Sequence, residues 1–340
     1  MQKNKYLIYS FILLFSSCAR ITSLNLKKHQ YGTQPRKIIW IQIAGLDDQI
    51  SSLFKFENQK SEMAFENFTC YGRAWGYNLF KLRPDSFDAF HSEITGKKNV
   101  KGNCEDFDQK PIWHFLSESG YSTSILENPI KSSNSLLKAK TCKKEGFLQN
   151  ATVFTMQKTD TDASYFHSHG EFKENSSGVF YDRSCQKNKC FSQWEDNSIS
   201  IFENYFIKKN KYLFLIRDFS FEQNLENNNV SKLYEKLNSL NKLILYFQNR
   251  QKTDPEMLVM VTSGSPIGVD LPSAGKAWRD MISTNQSLIY KNRLVNSPVF
   301  VLGARSENFC GSYEQSEMLI RLLSGPKEQG LEYRFFNPLW

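Results

Sequence analysis

Lys37-Ile38-Ile39-Trp40-Ile41-Gln42-Ile43-Ala44-Gly45-Leu46-Asp47-Asp48 is a near-continuous apolar run behind a basic, proline-containing leader. An apolar run of this length without alternation reads as a strand buried on both faces, the first of a parallel sheet. Proteins of that architecture place their ligands beyond the carboxyl ends of the strands. The residues that end this strand, Ala44 and Gly45, therefore carry the functional question.

Outward from it, Asp47 to Phe56 predicts a helix, and Phe65 to Arg83 reads as aromatic-rich and irregular. Ser86 to Thr95 predicts a helix with Ser86 as N-cap and Gly96 as C-cap. Pro111 opens a short helix closed by Gly120, and strands follow at Tyr121–Leu126 and Ala151–Met156. The polar stretch from Thr159 to Gln193 reads as an insertion or lid-like loop. Beyond it, Asp196 to Lys209 predicts a helix, and Tyr212 to Arg217 a buried strand ending at Asp218. Val230, Leu233, Leu237, Leu240, Ile244 and Phe247 recur at helical spacing and define one long amphipathic helix, broken by Asp254-Pro255. Strands follow at Met257–Val261 and Pro298–Leu302, and a helix from Tyr313 to Leu323 closes at Gly325. The domain thus spans 37–325, after a tether at 18–36 and before an aromatic tail at 326–340.

The 340 residues are 40% hydrophobic and 23% charged, a globular composition. Lys3 and Lys5 precede a short apolar stretch, Tyr6 to Phe15, too short to span a bilayer. Phe15-Ser16-Ser17-Cys18 resembles a bacterial lipoprotein signal, with Phe15 where that motif has Leu. The resemblance implies removal of residues 1–17, lipidation of Cys18 and a membrane anchor facing the periplasm; Ala19 leans the choice toward the outer membrane. An ordinary secretory signal with an incidental cysteine is the plainer alternative.

Six cysteines follow Cys18, an even number that permits three disulfides in an exported chain, with fifteen connectivities; Cys185 and Cys190 form the most plausible local pair. The net charge of +8 is scattered without aromatic interleaving, which argues against nucleic acid. Solvated loops explain most of this charge, with a modest attraction to anionic lipid or glycan surfaces beside them; an anionic glycan, a lipid headgroup or a protein partner is the occupant expected for the cleft.

Ala44-Gly45, Asp218 and Thr262-Ser263-Gly264-Ser265 all stand at strand ends. In this order of elements the chain resembles the alkaline phosphatase/sulfatase superfamily, over about Lys37 to Gly325. The resemblance implies an alkaline-phosphatase-like three-layer α/β sandwich, with a mostly parallel central sheet and helices on both faces. Ser86-Phe87-Asp88-Ala89-Phe90-His91-Ser92-Glu93-Ile94-Thr95-Gly96 is similar to the family's nucleophile helix and puts Ser86 at the nucleophile position. Leu116 to Ser122 is similar to the helix-to-strand unit that follows.

The ligand positions depart from the family pattern. Ala44 stands where the first strand should end in a metal-binding Asp. Asp218 keeps its place, but Glu222 takes that of a His, and Gly264-Ser265 replace an Asp-His pair. All five His lie at or before residue 169, whereas the family's ligand His belong to the second half. Metal in such a site activates the nucleophile and offsets charge on the transferring group. Ala and Gly offer no ligand atom. The expectation is an exported, lipid-anchored pseudoenzyme that binds or scaffolds and needs no cofactor. The alternatives are an ester hydrolase or transferase with one divalent cation rebuilt on Ser86, Asp218 and Glu222, and a purely structural envelope lipoprotein whose cleft is filled by aromatic rings such as Phe90 or Trp278. Lys276 and Arg279 are the candidates for contact with an anionic ligand.

Overall fold

A computed structural model describes residues 35–57, 62–78, 80–157, 164–167, 172–173, 178–185, 190–227, 230–270, 275–283 and 289–323. Cys18, the tether up to residue 34 and the aromatic tail lie outside the described residues. In chain order the elements begin with β1 (Lys37–Ala44), α1 (Ile50–Glu57), β2 (Cys70–Trp75), α2 (Ser86–Thr95), α3 (Ile112–Glu118), β3 (Ser122–Asn128) and α4 (Lys138–Thr141). There follow β4 (Ala151–Thr155), β5 (Ser164–Phe166), β6 (Phe172–Lys173), β7 (Val179–Asp182), α5 (Trp194–Ile201), β8 (Tyr212–Asp218) and α6 (Ser220–Glu226). The last are α7 (Val230–Thr253), β9 (Met257–Gly264), β10 (Ile267–Asp270), α8 (Gly275–Ser283), β11 (Ile289–Arg293), β12 (Asn296–Gly303), β13 (Gly311–Glu314) and α9 (Met318–Leu323).

β1 sits in the middle of an eleven-stranded sheet ordered β13-β2-β12-β9-β1-β8-β3-β4-β7-β5-β6. It pairs in parallel with β8 on one side and β9 on the other. β12 is antiparallel to both its neighbours, so the sheet is mixed but mostly parallel. Because side chains alternate across a strand, Ile39, Ile41 and Ile43 enter one core while Ile38, Trp40 and Ala44 enter the other. The first core is covered by α1, α5 and α7, the second by α2, α3 and α9. On α7, Leu233, Leu237, Leu240, Leu243, Ile244 and Phe247 are all buried. At about 1.5–3 kcal/mol for each such side chain, that stripe is what fixes the helix to the sheet. This is the three-layer α/β arrangement anticipated above.

Four local expectations are corrected. The stretch read as irregular contains β2, whose inward residues Cys70, Gly72 and Ala74 are too small to show an apolar alternation. The described parts of 159–193 are short strands that extend the sheet rather than a lid. The helix expected from Tyr313 onward begins later, because Tyr313 belongs to β13 and only Met318–Leu323 is α-helical. The N-cap of α2 is Asp85, whose side chain accepts from Asp88 N at 3.0 Å, so Ser86 is the first helical residue.

The cysteines pair as Cys70–Cys310, Cys104–Cys142 and Cys185–Cys190, the last as the spacing suggested. The first closes a sequence separation of 240 residues beside the β2–β13 edge. Cross-links over long loops act mainly on the unfolded chain. Replacing Cys70 and Cys310 together by Ser should cost about 2–5 kcal/mol, read as a lower denaturation midpoint under oxidising conditions. An unchanged midpoint would show that the bond contributes nothing.

Candidate functional site

The ends of β1, β8 and β9 meet at one rim. Gly45 N donates to Gly264 O at 3.0 Å, and Ile267 N donates back to Gly45 O at 3.0 Å. Gly45 has φ +80°, and a Cβ there would come within 3.2 Å of Glu222 Cα. The chain can turn this tightly at the end of β1 only without a side chain.

α2 brings Ser86 to this rim. Its hydroxyl is buried and donates to Gly264 O at 2.9 Å. One turn further along, Phe90 reaches the same strand end. A Cβ built on Gly264 would lie 2.5 Å from Phe90 Cε1 and 2.7 Å from Cδ1. The ring therefore occupies the space that any side chain at position 264 would need. Phe90 is fully buried, edge-on to Phe219 at 5.5 Å.

The remaining carboxylates are committed elsewhere. Asp218 accepts from Asn128 Nδ2 at 2.7 Å and from Ser220 N and Oγ at 3.1 and 2.7 Å. Glu222 forms an ion pair with Arg293, whose second amino group reaches Glu226 at 2.9 Å. Burial raises the Glu222 carboxyl above its usual range, while Arg293 and the Ser86 hydroxyl beside it pull the other way. Ser265 adopts φ +53° and its hydroxyl accepts from Arg293 Nη1 at 3.2 Å. Ser86 and Glu222 are thus brought together, whereas Asp218 keeps a separate set of partners. Lys276 and Arg279 are exposed on α8, and the side chain of Trp278 lies outside the description.

Two charged groups lie beneath the rim that the sequence did not single out. Arg217 is fully buried, with Phe87, Phe90 and Phe219 around its guanidinium at 5.8, 5.7 and 5.4 Å. Its counterion is Glu127 at 3.6 Å, and burial pulls its pKa down to about 10. Glu93, on the same side of α2, accepts from Gln42 Nε2 at 2.7 Å, Thr262 Oγ1 at 3.0 Å and Gln315 Nε2 at 2.8 Å. Desolvation pushes its pKa up to about 7 despite those donors. Gln42, the one polar residue in the apolar run of β1, was the available signal for this cluster. His91 is a core residue, its ring stacked on Phe147 at 5.4 Å and its Nε2 paired with Asp106 O.

No protein-family model matches the sequence, and no curated protein does either. Solved structures match in fold. The alkaline phosphatase of the Antarctic bacterium TAB5 superposes with a TM-score of 0.62 at 16% identity, over 86% of this chain and 97% of that one. A point mutant of the same enzyme, solved with Mg bound, gives 0.60 at 15% identity over the same shares. The cold-active alkaline phosphatase of a Shewanella species gives 0.64 at 12% identity over 84% and 98%. The lipoteichoic acid synthase LtaP of Listeria monocytogenes gives 0.53 at 12% over 86% and 73%. The fold is that of these alkaline phosphatases, an α/β sandwich with a mostly parallel central sheet.

The residues present do not fit the metal centre this fold implies. Ala44 has no donor atom, Phe90 fills the side-chain space at Gly264, and Arg293 supplies the positive charge beside Glu222. Among the described residues one group of three metal-type side chains converges, Asp182 with Cys185 and Cys190, far along the sheet and with both thiols in a disulfide.

Gly264→Asp, which restores a carboxylate at the strand end, should therefore destabilise by about 3 kcal/mol or more, through overpacking and an unpaired buried charge. Combined with Phe90→Ala it should cost less than the two single losses added together, a coupling that denaturant titration of the double-mutant cycle measures. Strict additivity would mean that the ring and position 264 do not compete.

Glu93 gives a pH signature. An acid whose folded pKa is raised from 4.5 to about 7 keeps its proton longer in the folded state. Its contribution to stability is present below the unfolded pKa and is lost as pH rises through about 7. Stability should fall by at most about 1.4 kcal/mol per pH unit across that window on this account. Glu93→Gln should flatten the decline, and an unchanged pH profile of thermal midpoints would refute the assignment.

Proposed function

We propose that the chain is a non-catalytic, sulfatase-like binding or scaffolding protein of the bacterial cell envelope, exported and anchored through lipidated Cys18. The observation that carries this reading is the Phe90 ring in the side-chain space of Gly264. A catalytic rim of this fold needs ligand atoms where this one has an aromatic ring, an Ala and an arginine-bound carboxylate. Ser86 is hydrogen-bonded to a backbone carbonyl and 1% exposed, a poor state for a nucleophile. Three cysteine pairs favour an oxidising compartment outside the cytoplasm. No helix among the described residues is long and apolar enough to cross a membrane.

A purely structural envelope protein is the second reading, and the same Phe90 plug favours it. Against it stands an accessible polar cavity of about 430 Å³ immediately beside the rim, lined by Asp47 and Arg293 among others. A binding role uses that cavity, and a purely structural role does not.

The test is metal analysis together with turnover. Purified full-length protein should carry no stoichiometric divalent cation and should release no phosphate or sulfate from aryl esters. Turnover that vanishes in Ser86→Ala, with a bound cation lost in Asp218→Ala, would establish the rebuilt single-metal enzyme instead.

A further inference from the structure

The loop that leaves β2 exposes apolar side chains outside the cleft. β2 is antiparallel to β12, and β12 is antiparallel to β9, which runs with β1. The chain beyond Trp75 therefore emerges at the carboxyl-end edge of the sheet, next to the end of β13. There Tyr77 is 37% exposed, Phe80 57% and Leu82 81%.

The exposure is built into a fixed turn. Asn78 is buried, and its backbone N donates to Lys81 O at 3.2 Å. Its side-chain Oδ1 accepts from Phe80 N at 2.8 Å and from Lys81 N at 2.6 Å. Its Nδ2 donates to Val100 O at 3.2 Å, which pins the turn to the loop that follows α2. An Asn that bonds its own following backbone fixes a turn. Apolar side chains held on such a turn are area that folding leaves in water, the mark of a surface meant for contact.

Lysines flank the rings. Lys98 Nζ lies 4.9 Å from the centre of the Tyr77 ring, and Lys101 Nζ 5.7 Å from that of Phe80. Each already has a counterion: Lys98 has Glu314 at 2.7 Å and Lys101 has Glu105 at 2.6 Å. Lys81, within the turn, is paired with Asp85 at 3.2 Å and with Asp88. An acidic ligand would find these cations taken. An aliphatic tip, aromatic rings and lysine stems together suit the boundary between water and lipid. Rings such as that of Tyr sit there at headgroup level, and Lys keeps its ammonium in water.

The position of the anchor favours a bilayer over a protein as occupant. The domain begins at the opposite edge of the sheet, where Tyr121 OH donates to Pro35 O at 2.6 Å. β1 is about 26 Å long at about 3.3 Å per residue. The segment from Cys18 to Pro35, which lies outside the described residues, spans at most about 55 Å. A lipid on Cys18 therefore leaves enough chain for the carboxyl-end edge to reach the same membrane, and it keeps the loop concentrated near that surface.

We propose that this loop docks the domain on the bilayer surface, with Phe80 and Leu82 inserted among the acyl chains and Tyr77 at headgroup level. The inference rests on the anchoring reading given above only for the nearness of a membrane. It places no ligand in the cleft and no role on Ser86. Because the lysines are answered within the domain, docking is apolar and nearly independent of lipid charge.

The experiment is co-sedimentation of full-length protein carrying Cys18→Ser, which cannot be acylated, with phosphatidylcholine vesicles. The protein should partition onto them, and adding phosphatidylglycerol or salt should change the partition less than about threefold. Phe80→Ser with Leu82→Ser should weaken it at least about tenfold, and Leu82→Ser alone about threefold. Thermal midpoints should be unmoved, because both side chains face solvent. Ile207→Ser, at an exposed apolar residue beside Lys37 and Tyr212 at the other edge, should partition as wild type. Any binding through Tyr6 to Phe15 is common to all the variants and does not enter the comparison. No partition, wild-type partition in the double variant, or an equal loss in Ile207→Ser would overturn the proposal. So would a change of tenfold or more with phosphatidylglycerol or salt, which would mean adsorption by charge. A dimer in solution that the double variant converts to monomer would give the loop to a second copy of the chain, and that also overturns it. Mass spectrometry of the wild-type protein from membranes tests the anchor separately. An unmodified Cys18 would overturn the anchoring reading and leave the vesicle result intact.

Discussion

The seating of α2 on β9 is the constraint around which the rim is organised. Three side chains a turn apart touch the strand: Ser86 and Phe90 at Gly264, and Glu93 at Thr262. Thr262 in turn accepts from Trp40 Nε1 at 3.0 Å, which ties the helix through β9 to the central strand β1. A helix can approach a sheet this closely only where the strand presents hydrogen, and Gly264 does so. The aromatic ring then excludes water from the polar groups below it.

Beneath that ring lies a second set of charges, separate from the Glu222–Arg293 pair on the rim. Glu93, Arg217 and Glu127 are each fully buried. A buried cation needs partners, and Arg217 has them in one carboxylate at 3.6 Å and three aromatic faces. The positive charge in this part of the fold comes from guanidinium groups, Arg217 beneath the rim and Arg293 across it. Each is paired with a carboxylate, Arg217 with Glu127 and Arg293 with Glu222.

The architecture was legible because its core strands are long and apolar. Ile38 to Ile43, Tyr212 to Ile216 and Met257 to Val261 each carry enough hydrophobic residues to be recognised alone. β2 was not, because two of its inward positions are Gly72 and Ala74, and its large residues face the cavity. β13 was hidden for a related reason: four residues are enough for a strand only when a neighbour such as β2 supplies the ladder. At the site, the missing ligand types at Ala44 and Gly264 were visible as letters. What replaces them was not, since the contacts of Phe90 with Gly264 and Arg293 with Glu222 join positions 174 and 71 residues apart, and no local spacing predicts them.

The bond between Cys70 and Cys310 has a consequence for how the chain matures. Its two cysteines are the first and last of the six that pair, and the other two bonds lie wholly within the loop it closes. A chain delivered from its amino end exposes Cys70, then Cys104 and Cys142, long before Cys310. Oxidation in order of appearance would join Cys70 to Cys104, a pairing the folded domain does not contain. The native connectivity is reached only if Cys70 stays reduced until the carboxyl-terminal strand arrives, or if a provisional bond is then opened by attack of a free thiolate. On either route the bond at the edge of the sheet waits for the last cysteine of the chain.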